Sequence, residues 1–188
     1  MEANQPHITN LVERCKSSDK NAQLQLYNAY YKAMYNSAYR ILKDSFEAED
    51  IMQEAFLTAF TKMHTYKGEV TFGAWLKRIV INKSLTQLKK NNRYEEVKME
   101  VIPKDEAEGE LLNYKGLNPK SVLNSLQSLK DNYRVVLTLH LIEGFDYEEI
   151  AQILKYTNEN VRTTVSRAKK KLKQVLLAEH IETQAYGR

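Results

Sequence analysis

The sequence predicts an all-α protein built of two small helical domains joined by a flexible acidic linker, the second domain being a helix-turn-helix. Three observations lead there. Apolar residues recur three and four positions apart over several long stretches, the period of a helix with one face turned inward. Only six Gly and three Pro occur in 188 residues, too few for a turn-rich sheet protein or a low-complexity tract. The charge also changes sign twice along the chain, so two basic stretches flank an acidic one. The resulting boundaries are 1–93, a linker over 94–119, and 120–188.

The first helical pattern runs from about Ala22 to Leu42, where Leu26, Tyr30, Ala33, Met34, Ser37 and Ile41 form one stripe. Tyr27, Tyr31, Tyr35 and Tyr39 form a second stripe beside it, and a helix apolar on two sides needs neighbours around it. The tyrosine ladder reads as amphipathic packing or as a ligand surface. Phe46 to Met63 is the cleanest helix, with Ala48, Ile51, Met52, Ala55, Phe56, Ala59, Phe60 and Met63 on one face. Glu47, Glu49, Asp50 and Glu54 sit in its first turns, where the helix dipole favours acids. Gln53, Glu54 and Leu57 add an outward patch, acidic and apolar, of the kind that docks on a basic partner.

A polar break at Thr65-Tyr66-Lys67-Gly68-Glu69 precedes a third helix starting near Thr71, with Phe72, Trp75, Leu76, Ile79, Val80 and Leu85. Between Leu76 and Arg93 the cations Lys77, Arg78, Lys83, Lys89, Lys90 and Arg93 stand without a single acid, a surface suited to phosphates. An aromatic pair next to cations suits single-stranded nucleic acid, because a ring stacks on an unpaired base while Lys and Arg neutralise the backbone. Trp75 reads first as a core residue. Glu95, Glu96, Glu100, Asp105, Glu106, Glu108 and Glu110 then outnumber Lys98 and Lys104, with Pro103 and Gly109 among them, which marks the linker.

In the C-terminal part, Tyr133 to Glu143 carries Val135, Val136, Leu139 and Ile142 and stops at Gly144, a residue at ease in a left-handed cap. Asp146 opens the next helix with Glu149 three residues on, a capping box, and Ile150, Ala151 and Leu154 form its inner face. After the turn Tyr156-Thr157-Asn158, a last helix from about Glu159 turns Val161, Val165, Ala168, Leu172 and Leu176 inward. Asn160, Arg162, Thr163, Ser166, Arg167 and Lys170 fall on its other side. This is the pattern of a helix-turn-helix whose second helix meets base edges and phosphates. A plain three-helix bundle is the competing reading.

Several classes of function are disfavoured. Cys15 is the sole cysteine, so an intramolecular disulfide or a Cys-rich zinc site is excluded. His7, His64, His140 and His180 are scattered, and no phosphate-cradling glycine loop or metal-spaced acid cluster occurs. No metal, no cofactor and no enzymatic activity are expected. No apolar run of about 18 residues would span a bilayer, and the N-terminus lacks the order of a secretory signal, which points to a soluble, cytoplasmic protein without membrane insertion.

At this point the chain resembles a known family, the compact extracytoplasmic-function (ECF) group of the sigma-70 RNA polymerase sigma factors. FEAEDIMQEAFLTAF (46–60) resembles the family's DAEDLVQE-type segment. FGAWLKRIVINKSLTQLKK (72–90) is similar to its promoter-melting helix, with Trp75, Arg78 and Asn82 in matching places. YRVVLTLHLIEGFDYEEIAQIL followed by VRTTVSRAKKKL matches its upstream-element reader. Thr86 and Lys89 stand where Asp and Arg are frequent, Lys155 where a turn glycine is common, and Glu159-Asn160 where Gly-Thr is usual.

The resemblance implies that Glu49, Asp50, Gln53, Glu54 and Leu57 dock on core polymerase, whose beta-prime clamp and beta flap are the partners. It implies that Tyr66, Lys67, Gly68, Phe72, Trp75, Arg78, Asn82 and Lys83 hold the downstream promoter element, with the loop at Thr65–Glu69 receiving a flipped base. Asn160, Arg162, Thr163, Ser166, Arg167 and Lys170 would read the upstream element as duplex, and an anti-sigma factor is a further implied partner. The alternative reading is a one-component transcription regulator with a sensing N-terminal domain.

Overall fold

The computed structural model describes the backbone of residues 5–91 and 118–186 and the side chains of 7–91 and 118–178. The acidic linker expected over 94–119 lies outside the described residues except for its last two, as does Arg93 of the first basic stretch. All regular structure among the described residues is helical. The chain divides into two compact units, with the break after Asn91.

In the first unit, α1 (Gln5–Lys16) leads into α2 (Lys20–Leu42), α3 (Ser45–Thr61), a short 3-10 turn (Met63–Thr65) and α4 (Phe72–Lys90). Helices α2, α3 and α4 pack on one another, and α1 lies against α2 and the 3-10 turn. Side-chain oxygens set where each main helix begins: Asp19 accepts from the backbone N–H groups of Asn21 and Ala22, Asp44 from Glu47, and Thr71 from Ala74. The shared core takes Leu26, Met34 and Ile41 from α2, Ala48, Met52, Ala55 and Phe56 from α3, and Phe72, Leu76, Val80 and Leu88 from α4. Each large side chain removed from water there contributes about 1.5–3 kcal/mol.

Helix α1 was not visible as an element in the sequence, although Leu11, Val12 and Cys15 bury on its inner side. The tyrosine ladder of α2 is half-buried packing in the main: Tyr27 and Tyr31 stack at 5.6 Å, and Tyr27 leans on Phe56 at 4.8 Å. Ala33, expected on the inner stripe, is exposed, and Ala38 takes the buried place beside Ser37. Gly73 lets α4 approach α2 closely, because a Cβ there would lie 2.8 Å from Tyr30 Cε1.

The second unit holds α5 (Pro119–Ser128), α6 (Asp131–Leu137), a π-helical turn (Thr138–Ile142), α7 (Tyr147–Leu154) and α8 (Asn158–Tyr186). Pro119, the last residue given to the linker, is instead the first of α5, with Asn118 as its cap. Helices α5, α6 and α7 all pack on α8 around Leu126, Val135, Val136, Leu139, Ile150, Val161, Val165 and Leu172. The helix expected from Tyr133 to Glu143 does not continue as one α-helix, since its second half widens into the π turn before Gly144 takes φ +81°. Arg134 is wholly buried beside Val135, and its Nη1 donates to Asp131 Oδ1 at 2.6 Å. A guanidinium cannot shed its proton, so burial requires such a partner.

Candidate nucleic-acid interfaces

The loop between the 3-10 turn and α4 is stapled shut by its own first aromatic. Tyr66 Oη donates to the Val70 carbonyl at 2.6 Å, leaving Lys67, Gly68 and Glu69 at the exposed tip. Gly68 takes φ +80°, and a Cβ there would meet nothing, so glycine serves the backbone turn rather than a lack of space. Behind the loop the rings of Tyr66, Phe72 and Trp75 lie mutually 5.4–5.9 Å apart, and Tyr30 closes the group at 5.5 Å from Phe72. Burial pushes the Tyr66 hydroxyl above the ordinary tyrosine range, with Lys16 opposing, which keeps it a donor. Burial likewise raises Tyr30, followed by its neighbour Tyr66.

One reading of this site needs correction. Phe72 is 2% exposed, so its ring cannot stack on a base; it is the floor on which Tyr66 and Trp75 rest. Trp75 is half-buried, and Arg78 and Asn82 follow it on one exposed face at helical spacing. Lys83 sits beside that face, where its Nζ donates to Glu54 Oε2 at 3.1 Å.

On α3 the outward residues Glu49, Asp50, Gln53, Glu54 and Leu57 are all exposed, Leu57 at 68%. Gln53 Nε2 donates to Glu49 Oε1 at 3.3 Å, while Glu54 turns toward α4 and Lys83. Phe46 was missed as part of this surface. It is 80% exposed and falls on the same stripe as Asp50, Gln53 and Leu57, spaced four, three and four, a signal already present in the sequence.

In the second unit the capping box forms as expected: Glu149 N–H donates to Asp146 Oδ1 at 2.8 Å, and Asp146 N–H to Glu149 Oε2 at 3.0 Å. Lys155 closes α7 with a left-handed φ of +59°, and Tyr156 N–H reaches back to the Ala151 carbonyl. Helix α8 then starts at Asn158, one residue earlier than expected, with Thr157 Oγ1 accepting from the Asn160 N–H. Arg162, Thr163, Ser166 and Lys170 are exposed, whereas Asn160 and Arg167 are half-buried. The Arg162 guanidinium lies over the Tyr147 ring, 5.5 Å from its centroid, and His140 stacks on Tyr147 at 4.9 Å. Neither His140 nor Tyr147 stood out in the sequence, because the π turn and the α7 start meet α8 only through the fold.

The family model described as Sigma-70 region 2 matches residues 26–94, and the one described as Sigma-70, region 4, matches residues 120–172. The chain belongs to the ECF group of the sigma-70 family. It is similar to the RNA polymerase sigma-H factor of Pseudomonas aeruginosa, 29% identical over 88% of this chain and 92% of that one. It is also similar to the ECF RNA polymerase sigma factor SigW of Bacillus subtilis, 28% identical over 90% and 96% respectively. Among solved structures, the sigma factor RpoE of Bartonella quintana, in complex with the anti-sigma factor NepR, shares its fold. That match has a TM-score of 0.56 and 24% identity, covering 81% of this chain and 94% of that one.

As a sigma factor, the protein confers promoter-specific initiation of transcription on RNA polymerase. Region 2 spans the loop, the α3 surface and α4; region 4 spans the turn and the first part of α8. The alternative of a sensing N-terminal domain is not favoured, because the first unit is itself a sigma region. Among the described residues, no helix is long and apolar enough to cross a membrane.

Proposed function

We propose that residues 1–93 of this sigma factor dock on core polymerase and capture the opened downstream element, while residues 120–188 read the upstream element as duplex and 94–119 join them. Glu49, Asp50, Gln53, Glu54 and Leu57 meet the beta-prime clamp, and Phe46 extends the same stripe. The C-terminal unit meets the beta flap. Opening the duplex costs a few kcal/mol per unstacked step, and a base received in the loop of Tyr66, Lys67 and Gly68 offsets part of it. Trp75 supports that base from the side, with Phe72 beneath, and Arg78, Asn82 and Lys83 take the backbone. The closed loop over a ring floor, followed by half-buried Trp75 and the exposed Arg78 and Asn82 on one helix face, carries this reading.

On α8, Arg162 and Asn160 make paired hydrogen bonds to base edges, Thr163 and Ser166 add single ones, and Arg167 and Lys170 hold phosphates. The residues nearest the start of a recognition helix are those that enter the major groove, and Asn160, Arg162 and Thr163 occupy its first two turns. The chain acts in the cytoplasm, makes and breaks no bond, and takes no cofactor or metal. An anti-sigma factor controls it, as the similar RpoE is bound by NepR.

Run-off transcription with purified core polymerase tests the whole. The expected result is a discrete start site that depends on this chain, lost with Leu57→Asp through failure to bind core and with Arg162→Ala through failure to recognise the upstream element. Arg162→Ala costs about 1–3 kcal/mol of upstream-element binding. A chain that neither joins core polymerase nor directs a start site overturns the reading.

A further inference from the structure

We propose that Tyr147, braced by His140, is the positioning residue for Arg162, setting the direction in which this guanidinium enters the major groove. The inference rests on the reading of Arg162 as a base contact given above. An arginine on an exposed helix face has many rotamers, and holding one of them costs entropy when DNA binds. Here the guanidinium already rests over an aromatic face, 5.5 Å from the Tyr147 centroid. Ring and cation attract through the ring quadrupole, and the planar guanidinium keeps its outward N–H groups for a partner.

The ring is itself held from a third element. His140 stacks on it at 4.9 Å and 27°, and His140 Nδ1 lies 3.2 Å from the Phe145 carbonyl. A carbonyl only accepts, so Nδ1 carries the proton and Nε2 is left to accept from Lys169 Nζ at 3.5 Å. Lys169 lies seven residues, two turns, after Arg162 on the same helix. The π turn, the start of α7 and two turns of α8 are thereby linked through two rings and two cations. Tyr147 follows the capping residue Asp146, so the cap that starts α7 also places the ring.

The test compares Tyr147→Phe, Tyr147→Leu, Arg162→Ala and the double variant Tyr147→Leu/Arg162→Ala in the full chain with core polymerase, against a promoter library randomised across the upstream element. Tyr147→Phe keeps the ring and is expected to keep the base profile. Tyr147→Leu is expected to lower the preference at the bases that Arg162→Ala affects by about two- to fivefold, and to add nothing in the Arg162→Ala background. The Arg162 side-chain proton resonances of the free protein supply a measurement independent of DNA. They carry a ring-current shift that persists in Tyr147→Phe and vanishes in Tyr147→Leu.

An unaltered profile in Tyr147→Leu overturns the positioning role, as does a loss additive with Arg162→Ala, which would make Tyr147 a contact in its own right. If Arg162→Ala leaves the profile unchanged while the ring-current shift is present, the ring holds Arg162 but Arg162 is no base contact. The reading of α8 then fails at that residue and the positioning role fails with it, while the geometric pairing stands.

Discussion

Lys83 Nζ donates to Glu54 Oε2 across 3.1 Å, tying α3, the helix proposed to dock on polymerase, to α4, the helix proposed to meet DNA. The Glu54 side chain is 60% exposed and that of Lys83 30%, so the pair is bathed in water and screened by salt. Exposed pairs of this kind contribute about 0.2–1 kcal/mol. Glu54→Gln should therefore lower the unfolding free energy in urea by less than about 1 kcal/mol. Its affinity for core polymerase, measured by fluorescence anisotropy at low salt, should fall at least severalfold. A large loss of stability with unchanged affinity would place Glu54 in the fold rather than in docking.

Gly73 sits where α4 crosses Tyr30. A methyl group there starts 2.8 Å from a ring carbon, and the ring is pinned against Phe72. Ala improves helix propensity by about 1 kcal/mol, but forcing a packed ring aside costs about 1–3 kcal/mol. Gly73→Ala is expected to be destabilising on balance, by up to about 2 kcal/mol, and Gly73→Val by more. Urea melts followed by circular dichroism give the sign; a more stable Gly73→Ala would mean the ring swings away freely.

Lys155 holds φ +59° at the turn of the helix-turn-helix. The left-handed region costs a residue with a Cβ about 1–2 kcal/mol, and glycine returns part of that as chain entropy. Lys155→Gly should raise stability by about 0.5–1 kcal/mol, seen as a higher melting temperature. No gain would indicate that the turn relaxes to another conformation.

Cys15 and Asp19 respond to pH in opposite directions. Burial first, and then the Asp19 charge, push the Cys15 thiol up to about 11, with Arg14 opposing. Its thiol form is favoured by folding. That contribution is complete below the ordinary thiol range and is lost as pH rises toward about 11. At about pH 8 the folded thiolate is roughly a hundredfold rarer than in an ordinary thiol, so alkylation should proceed only once denaturant opens the first unit. The hydrogen bond from Arg14, 2.9 Å from Nε to Oδ2, holds the Asp19 carboxyl below its usual range, helped by the capped N–H groups. That stability is present above the ordinary carboxylate range and disappears as pH falls through the depressed value. Asp19→Asn should flatten the acid limb of the melting-temperature profile between about pH 5 and 2.

How much of the molecule was legible differs by element. Helix α3 and the α7 cap were plain, because their signals are local: an apolar stripe in one, Asp146 and Glu149 three residues apart in the other. Helix α1 was not, since Leu11, Val12 and Cys15 are too few to form a convincing stripe and become a face only against α2. Arg134 gave no sign of burial, because a cation beside Val135 reads as a helix's polar side until Asp131 and the α8 packing enclose it.

The helices α2 to α4 and α6 to α8, the α7 cap, the two basic stretches and the family motifs are all written in short stretches of chain, where period, charge and spacing act over a few residues. Packing decided the rest: which rings are floor and which are surface, that Glu54 faces Lys83, and that Tyr147 lies under Arg162. Those relations join residues up to 29 positions apart. Close packing of side chains in three dimensions, which no local periodicity encodes, brings them within contact range.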